Sequence, residues 1–66
     1  MADMVIDVDG RRYDVDVVFD AYDLKFVLAV SVGEKRVQAN GEDMREACRR
    51  LVDNIRDEVW QRGDAW

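Results

Sequence analysis

The stretch Met4-Val5-Ile6-Asp7-Val8-Asp9-Gly10-Arg11-Arg12-Tyr13-Asp14-Val15-Asp16-Val17-Val18-Phe19 decides the fold. Before Asp9-Gly10 the even positions Met4, Ile6 and Val8 are apolar. After it the odd positions Tyr13, Val15, Val17 and Phe19 are apolar, with Asp14 and Asp16 between them. Alternation with period two marks strands with one buried face, and the parity switch is what a two-residue turn requires. Asp-Gly suits that turn because both central residues of a type I′ turn need φ > 0. The turn sets the register: Val8 opposite Arg11, Asp7 opposite Arg12, Ile6 opposite Tyr13 and Met4 opposite Val15.

Outward from this hairpin, Asp20-Ala21-Tyr22-Asp23 reads as a turn carrying two Asp. A third strand follows from Leu24 to Val32, with Leu24, Phe26, Leu28, Val30 and Val32 on one face. Gly33-Glu34 closes a second hairpin that brings Val37 and Ala39 opposite Val30 and Leu28. Asp43-Met44-Arg45-Glu46 then fits a capping box, with Asp43 as N-cap and Glu46 reaching back. Met44, Ala47, Cys48, Leu51, Ile55 and Val59 recur at three- and four-residue spacing as one helical stripe, and Gly63 is placed to end it. The expectation is one α+β domain over residues 1–66, ordered ββββα: a four-stranded antiparallel meander with one amphipathic helix on one face. Strands are expected at about 4–9, 11–19, 24–32 and 35–39, and the helix at about 43–62.

Charge is unevenly placed. The 66 residues carry 15 acids and 10 bases, for a net charge of −5. Residues 1–23 hold seven Asp (Asp3, Asp7, Asp9, Asp14, Asp16, Asp20 and Asp23) against Arg11 and Arg12, whereas residues 24–66 hold eight charges of each sign. The acidic balance argues against nucleic-acid binding led by phosphate contacts, which draws on a surplus of Lys and Arg. No apolar run approaches the length of a membrane span, no secretory signal is visible, and a lone Cys48 cannot form an internal disulfide. The expected setting is the cytoplasm, with no membrane association.

Little catalytic chemistry is open to this composition. Histidine is absent, so Cys48, on the apolar stripe, has no imidazole to activate it. Asp7-Val8-Asp9-Gly10 shares letters with a calcium loop, but Gly falls at the fourth position and Arg11-Arg12 follow, where an EF-hand needs Gly at the sixth and further oxygen ligands. Asp14 and Asp16 share a strand face open to water, without a pocket to separate their pKa values as paired-carboxylate catalysis requires. The chain is therefore expected to be neither an enzyme nor a metal or cofactor carrier.

With one helix on one face, the other face of the sheet is readable from parity. It would carry Val5, Asp7, Arg12, Asp14, Asp16 and Val18 on the first two strands, and Lys25, Val27, Ala29, Ser31, Arg36 and Gln38 on the next two. That is an acidic half, a weakly basic half and an apolar seam at Val18, Val27 and Ala29, the pattern of a protein interface. Trp60 lies about 140° from the centre of the helix stripe at 100° per residue, so it either stands exposed beside Arg56 or folds back. Arg45, Arg49 and Arg56 line one helix flank, with Glu42, Glu46, Asp53 and Asp57 at salt-bridge spacing.

From Tyr13 onward, the order strand, strand, strand, helix resembles the later part of a double-stranded RNA-binding domain. Ala39-Asn40-Gly41-Glu42-Asp43-Met44-Arg45-Glu46-Ala47 is similar to that family's helix start, with its glycine, capping residue and E-A pair. The family's phosphate-gripping lysines are replaced here by Met44, Arg45 and Cys48, and its first helix by the Asp-rich strand. HicB-type antitoxins resemble the same region through their G-D-T-x-x-E-A helix start, although their P-D-L-P-G segment is missing. Both likenesses span residues 13–62 and imply a fold more than a function.

The leading expectation is a small acidic, non-catalytic protein that binds and blocks a basic, nucleic-acid-handling partner, in the manner of anti-CRISPR proteins or antitoxins. Rows of Asp on adjacent strands can imitate a phosphate backbone and speed encounter with a basic groove. The contact residues expected are Asp7, Asp9, Asp14, Asp16 and Asp20, with Val18 and Val27 as the apolar centre and Trp60 as an added anchor. Two other expectations stand beside it: an RNA-binding module using the helix arginines, and a homodimer burying the open face or pairing its edge strands.

Overall fold

The computed structural model describes residues 3–62. Four strands, β1 (Met4–Val8), β2 (Arg11–Asp20), β3 (Lys25–Val32) and β4 (Lys35–Gly41), form one antiparallel sheet in sequence order. Helix α1 (Met44–Arg62) follows. The fold is the expected ββββα. The hairpin register is also as read, from Val8↔Arg11 through Ile6↔Tyr13 to Met4↔Val15, and Val37 and Ala39 lie opposite Val30 and Leu28. Gly63 and Trp66 lie outside the described residues.

Turn chemistry accounts for the bends. Asp9 and Gly10 take φ values of 54° and 84°, and the Gly10 N–H donates to Asp7 Oδ1 at 3.2 Å. In the second turn Asp20 Oδ1 accepts from the N–H groups of Tyr22 (2.9 Å) and Asp23 (3.3 Å), an Asx arrangement that replaces the missing glycine. The helix begins where expected: Asp43 Oδ1 accepts the Glu46 N–H at 2.8 Å. The Glu46 carboxylate faces forward, to Arg50 Nη1 at 3.2 Å on the next turn.

The core lies between the sheet and α1. Val15, Leu28, Ala47, Leu51 and Ile55 are fully buried, with Val8, Val30, Val32, Val37 and Ala39 around them. The helix packs chiefly on β4 and then on β3 and lies farther from β1 and β2, although Val8 and Val15 are buried in the same cluster. Width explains this: a helix is about 10–12 Å across, whereas strands spaced about 4.8 Å apart make a four-stranded sheet twice the width one helix can cover. Met4, Ile6, Tyr13 and Val17 therefore sit only half-buried on the helix side.

The β4 edge is closed by the helix. Arg50 donates to the carbonyl of Asn40 (3.1 Å) and Asn54 to that of Gln38 (3.0 Å). Capping these outward carbonyls removes them as a template for an added strand.

Two expectations at the β2–β3 turn are corrected. Leu24 does not begin the third strand; it takes φ 53° in the turn and is 67% exposed. Phe19 points to the helix side as its parity requires, yet is half exposed because the sheet extends past α1 there, with Phe26 against it at a ring distance of 5.1 Å.

Candidate docking face

The face of the sheet opposite α1 is built from three cross-strand rows. Val18 stands opposite Val27, which stands opposite Asn40; Asp16 stands opposite Ala29, which stands opposite Gln38; Val5 stands opposite Asp14. Val18 is 61% exposed and Val5 is exposed as well, while Val27 is half-buried. Ala29 contributes little to the seam: its methyl is sunk between Asp16 and Gln38 and is only 7% exposed.

The carboxylates divide by what holds them. Asp7 and Asp20 accept backbone N–H groups of their own turns, and Asp3 Oδ2 accepts the N–H of Val17 at 2.8 Å. A hydrogen bond from the backbone orients a carboxylate and leaves its negative charge in place. Asp16 meets Arg36 Nη2 at 3.1 Å, a bridge that crosses over β3 and joins the acidic and basic halves of the face. Asp14 makes no hydrogen bond or ion pair among the described residues. Beyond Val15↔Val30 the β2–β3 ladder ends, and an open depression of about 470 Å³ lies between Asp14, Asp16, Arg12, Ser31 and Arg36.

Not every expected contact residue joins this face. Asp9 sits in the β1–β2 turn, where its two oxygens take Arg56 Nε (3.1 Å) and Nη2 (3.2 Å) from the helix. That hydrogen bond, and next the Asp9 charge, raise the Arg56 pKa above its ordinary value. Trp60 is 71% exposed on α1, in the other layer of the molecule, and does not fold back. Sequence spacing pointed Arg56 at acids on its own helix; Asp53 does act on it as a lesser charge, but its hydrogen-bonded partner is 47 residues away, and Arg45 and Arg49 make no ion pair among the described residues.

The residues that parity did not flag are Tyr22 and Leu24, which with Phe19 make an exposed apolar tip on the β2–β3 turn. The signal was present in Asp20-Ala21-Tyr22-Asp23-Leu24, a turn in which apolar residues stand where Gly, Asn or Ser would serve. Among the described residues no group of three or more His, Cys, Asp or Glu is placed to hold a metal ion, and no helix is long and apolar enough to cross a membrane. No protein-family model, curated protein or solved structure matches this chain, so its functional reading rests on the geometry above.

Proposed function

We propose that this chain is a small non-catalytic binding protein whose N-terminal hairpin docks on, and blocks, a basic surface of a nucleic-acid-handling protein. The observation that carries the reading is the open face of β1 and β2, where exposed Val5 and Val18 alternate with Asp7, Asp14, Asp16 and Asp20. An apolar centre ringed by charge is how protein interfaces combine burial with selectivity. Opposite charge on the partner speeds encounter and rejects neutral competitors. The carboxylates would take the places of phosphates, held in spacing by the strand ladder and by the turn bonds to Asp7 and Asp20. A cytoplasmic setting fits the free thiol of Cys48.

Asp14 is the residue to test, because reversing it breaks no bond in the fold. Immobilised chain is expected to retain basic proteins from a lysate of its source cells and to release them as salt is raised. Asp14→Lys is expected to lower that retention roughly tenfold. Duplex RNA at low salt is expected not to be retained. An unchanged set of captured proteins with Asp14→Lys, or RNA retention that Arg45→Ala plus Arg49→Ala abolishes, would reject the reading.

A further inference from the structure

The two edges of the sheet differ in what meets them. On β4 the carbonyls of Gln38 and Asn40 are taken by Asn54 and Arg50 of the helix. The other edge strand is β1, with β2 on its inner side and no strand on its outer side. Counting from the two-residue turn gives the direction of each backbone group. Val8 and Arg11 flank Asp9-Gly10 as a hydrogen-bonded pair, so Ile6 and Met4 also bond inward, to Tyr13 and Val15. The Asp3 N–H donates to the Val15 carbonyl at 3.0 Å, in agreement with Val15 facing β1. Val5 and Asp7 therefore turn their N–H and C=O groups outward, where no backbone group among the described residues meets them.

Beside this edge lies a charge without a counterpart. Asp14, on β2 opposite Val5, makes no hydrogen bond or ion pair among the described residues. The molecule itself shows how a carboxylate on β2 is met from a distance. Arg36 on β4 lies across β3 and reaches Asp16 on β2 at 3.1 Å. An arginine on a strand added outside β1 stands in a comparable relation to Asp14, with β1 as the strand it crosses. Its place is opposite Val5, the residue paired with Asp14; opposite Asp7 it would meet the like charge of Arg12. On the helix side, the residues flanking that arginine fall beside Met4 and Ile6, which are apolar and half-buried.

We propose that the basic partner presents an extended segment to the β1 edge, continuing the antiparallel sheet by a fifth strand. Resting on the hairpin face as the docking surface, this assignment gives the partner segment a pattern: apolar, arginine, apolar, with the arginine opposite Val5. Main-chain bonds to Val5 and Asp7 supply affinity, and the alternating side chains supply selectivity. A second copy of this chain is the poorer occupant. β1 reads Met4-Val5-Ile6-Asp7-Val8, with no cation to set opposite Val5, and self-pairing would bring two Asp-loaded hairpins together.

Nuclear magnetic resonance of the full labelled chain tests this with a short peptide carrying Val-Arg-Val between threonines. In the free chain the amides of Val5 and Asp7 should exchange with solvent at least roughly tenfold faster than those of Ile6 and Val8. Near saturation the peptide should slow Val5 and Asp7 at least roughly tenfold. A methyl group on the peptide's arginine backbone nitrogen removes the N–H that pairs with Val5 and keeps the charge. It should weaken binding at least roughly tenfold. The same methyl on the following valine points away from β1 and should change little. Equal binding of the two methylated peptides, with shifts that still vanish on Asp14→Lys, would overturn the strand pairing and leave the docking face standing. Binding indifferent to Asp14→Lys, or none at millimolar peptide, would overturn both. Protection of Val5 and Asp7 in the chain alone as its concentration rises would overturn the assignment in favour of a second copy.

Discussion

Leu51→Ala is expected to cost about 2–5 kcal/mol, the range for a fully buried leucine cut back to a methyl group. Leu51 is 0% exposed, in the middle of the stripe through which α1 meets β3 and β4. The removed carbons leave a void in the buried cluster, whose Leu28, Val37 and Ala39 are held in place by strand pairing. A chain of 66 residues has a total stability of roughly 3–10 kcal/mol, so the variant is expected to be largely unfolded well below the wild-type midpoint. Urea unfolding followed by circular dichroism measures this. Val52→Ala, at a half-buried position on the same helix, is the comparison and should cost well under half as much. Equal losses at the two positions would mean that α1 is not seated on β3 and β4 as described.

Gly41→Ala is the second large effect, and it acts by crowding. A Cβ on Gly41 would stand 2.6 Å from the backbone nitrogen of Ala47 and 3.0 Å from its Cα. Backbone atoms cannot rotate aside, so the end of β4 and the first turn of α1 must separate, at a cost of about 1–3 kcal/mol or more. That separation would also disturb the Asp43 cap, whose carbonyl accepts the first helical bond from Ala47 at 3.0 Å. Gly10→Ala is the matched control: it meets nothing within 4 Å, and its cost comes only from the positive φ of 84°, about 1 kcal/mol. Denaturant midpoints should therefore fall in the order wild type, Gly10→Ala, Gly41→Ala. A reversed order of the two variants would contradict the close approach of α1 to β4.

Why the sequence was legible for the sheet and less so for its surroundings has a physical basis. Period two assigns each residue to a face, and a two-residue turn sets the register, so Ile6↔Tyr13 and Val30↔Val37 follow from counting. Parity does not say how much of a face is covered. That depends on helix width and on which strands the helix lies over, and it is why Phe19 and Val17 remain partly exposed although they point to the core side. Leu24 defeated the reading differently: an Asx turn built by Asp20 ends one residue later than the alternation suggested. Ion pairs were the least legible. Three- and four-residue spacing offered Arg56 partners on its own helix, whereas folding placed Asp9 in the β1–β2 turn within reach of its guanidinium.

The clustering of Asp in the first 23 residues keeps its meaning in the folded chain, though with fewer free charges than the sequence shows. Asp9 and Asp16 are matched by Arg56 and Arg36, and Asp3, Asp7 and Asp20 brace the backbone. Asp14 stands apart, beside Val5 and without a hydrogen bond or ion pair among the described residues. Its position makes the account of the open face sharply testable.

The most direct measurement is a nuclear magnetic resonance titration of isotope-labelled chain with a short Arg- and Val-rich peptide, a defined probe with the charge and apolar character of the proposed partner surface. Amide shifts are expected to concentrate on Val5, Asp7, Asp14, Val18 and Val27, to fade as salt is raised, and to vanish with Asp14→Lys. Shifts spread evenly over the molecule, or gathered on Arg45, Arg49 and Trp60, would contradict the claim that this protein acts through its acidic hairpin face.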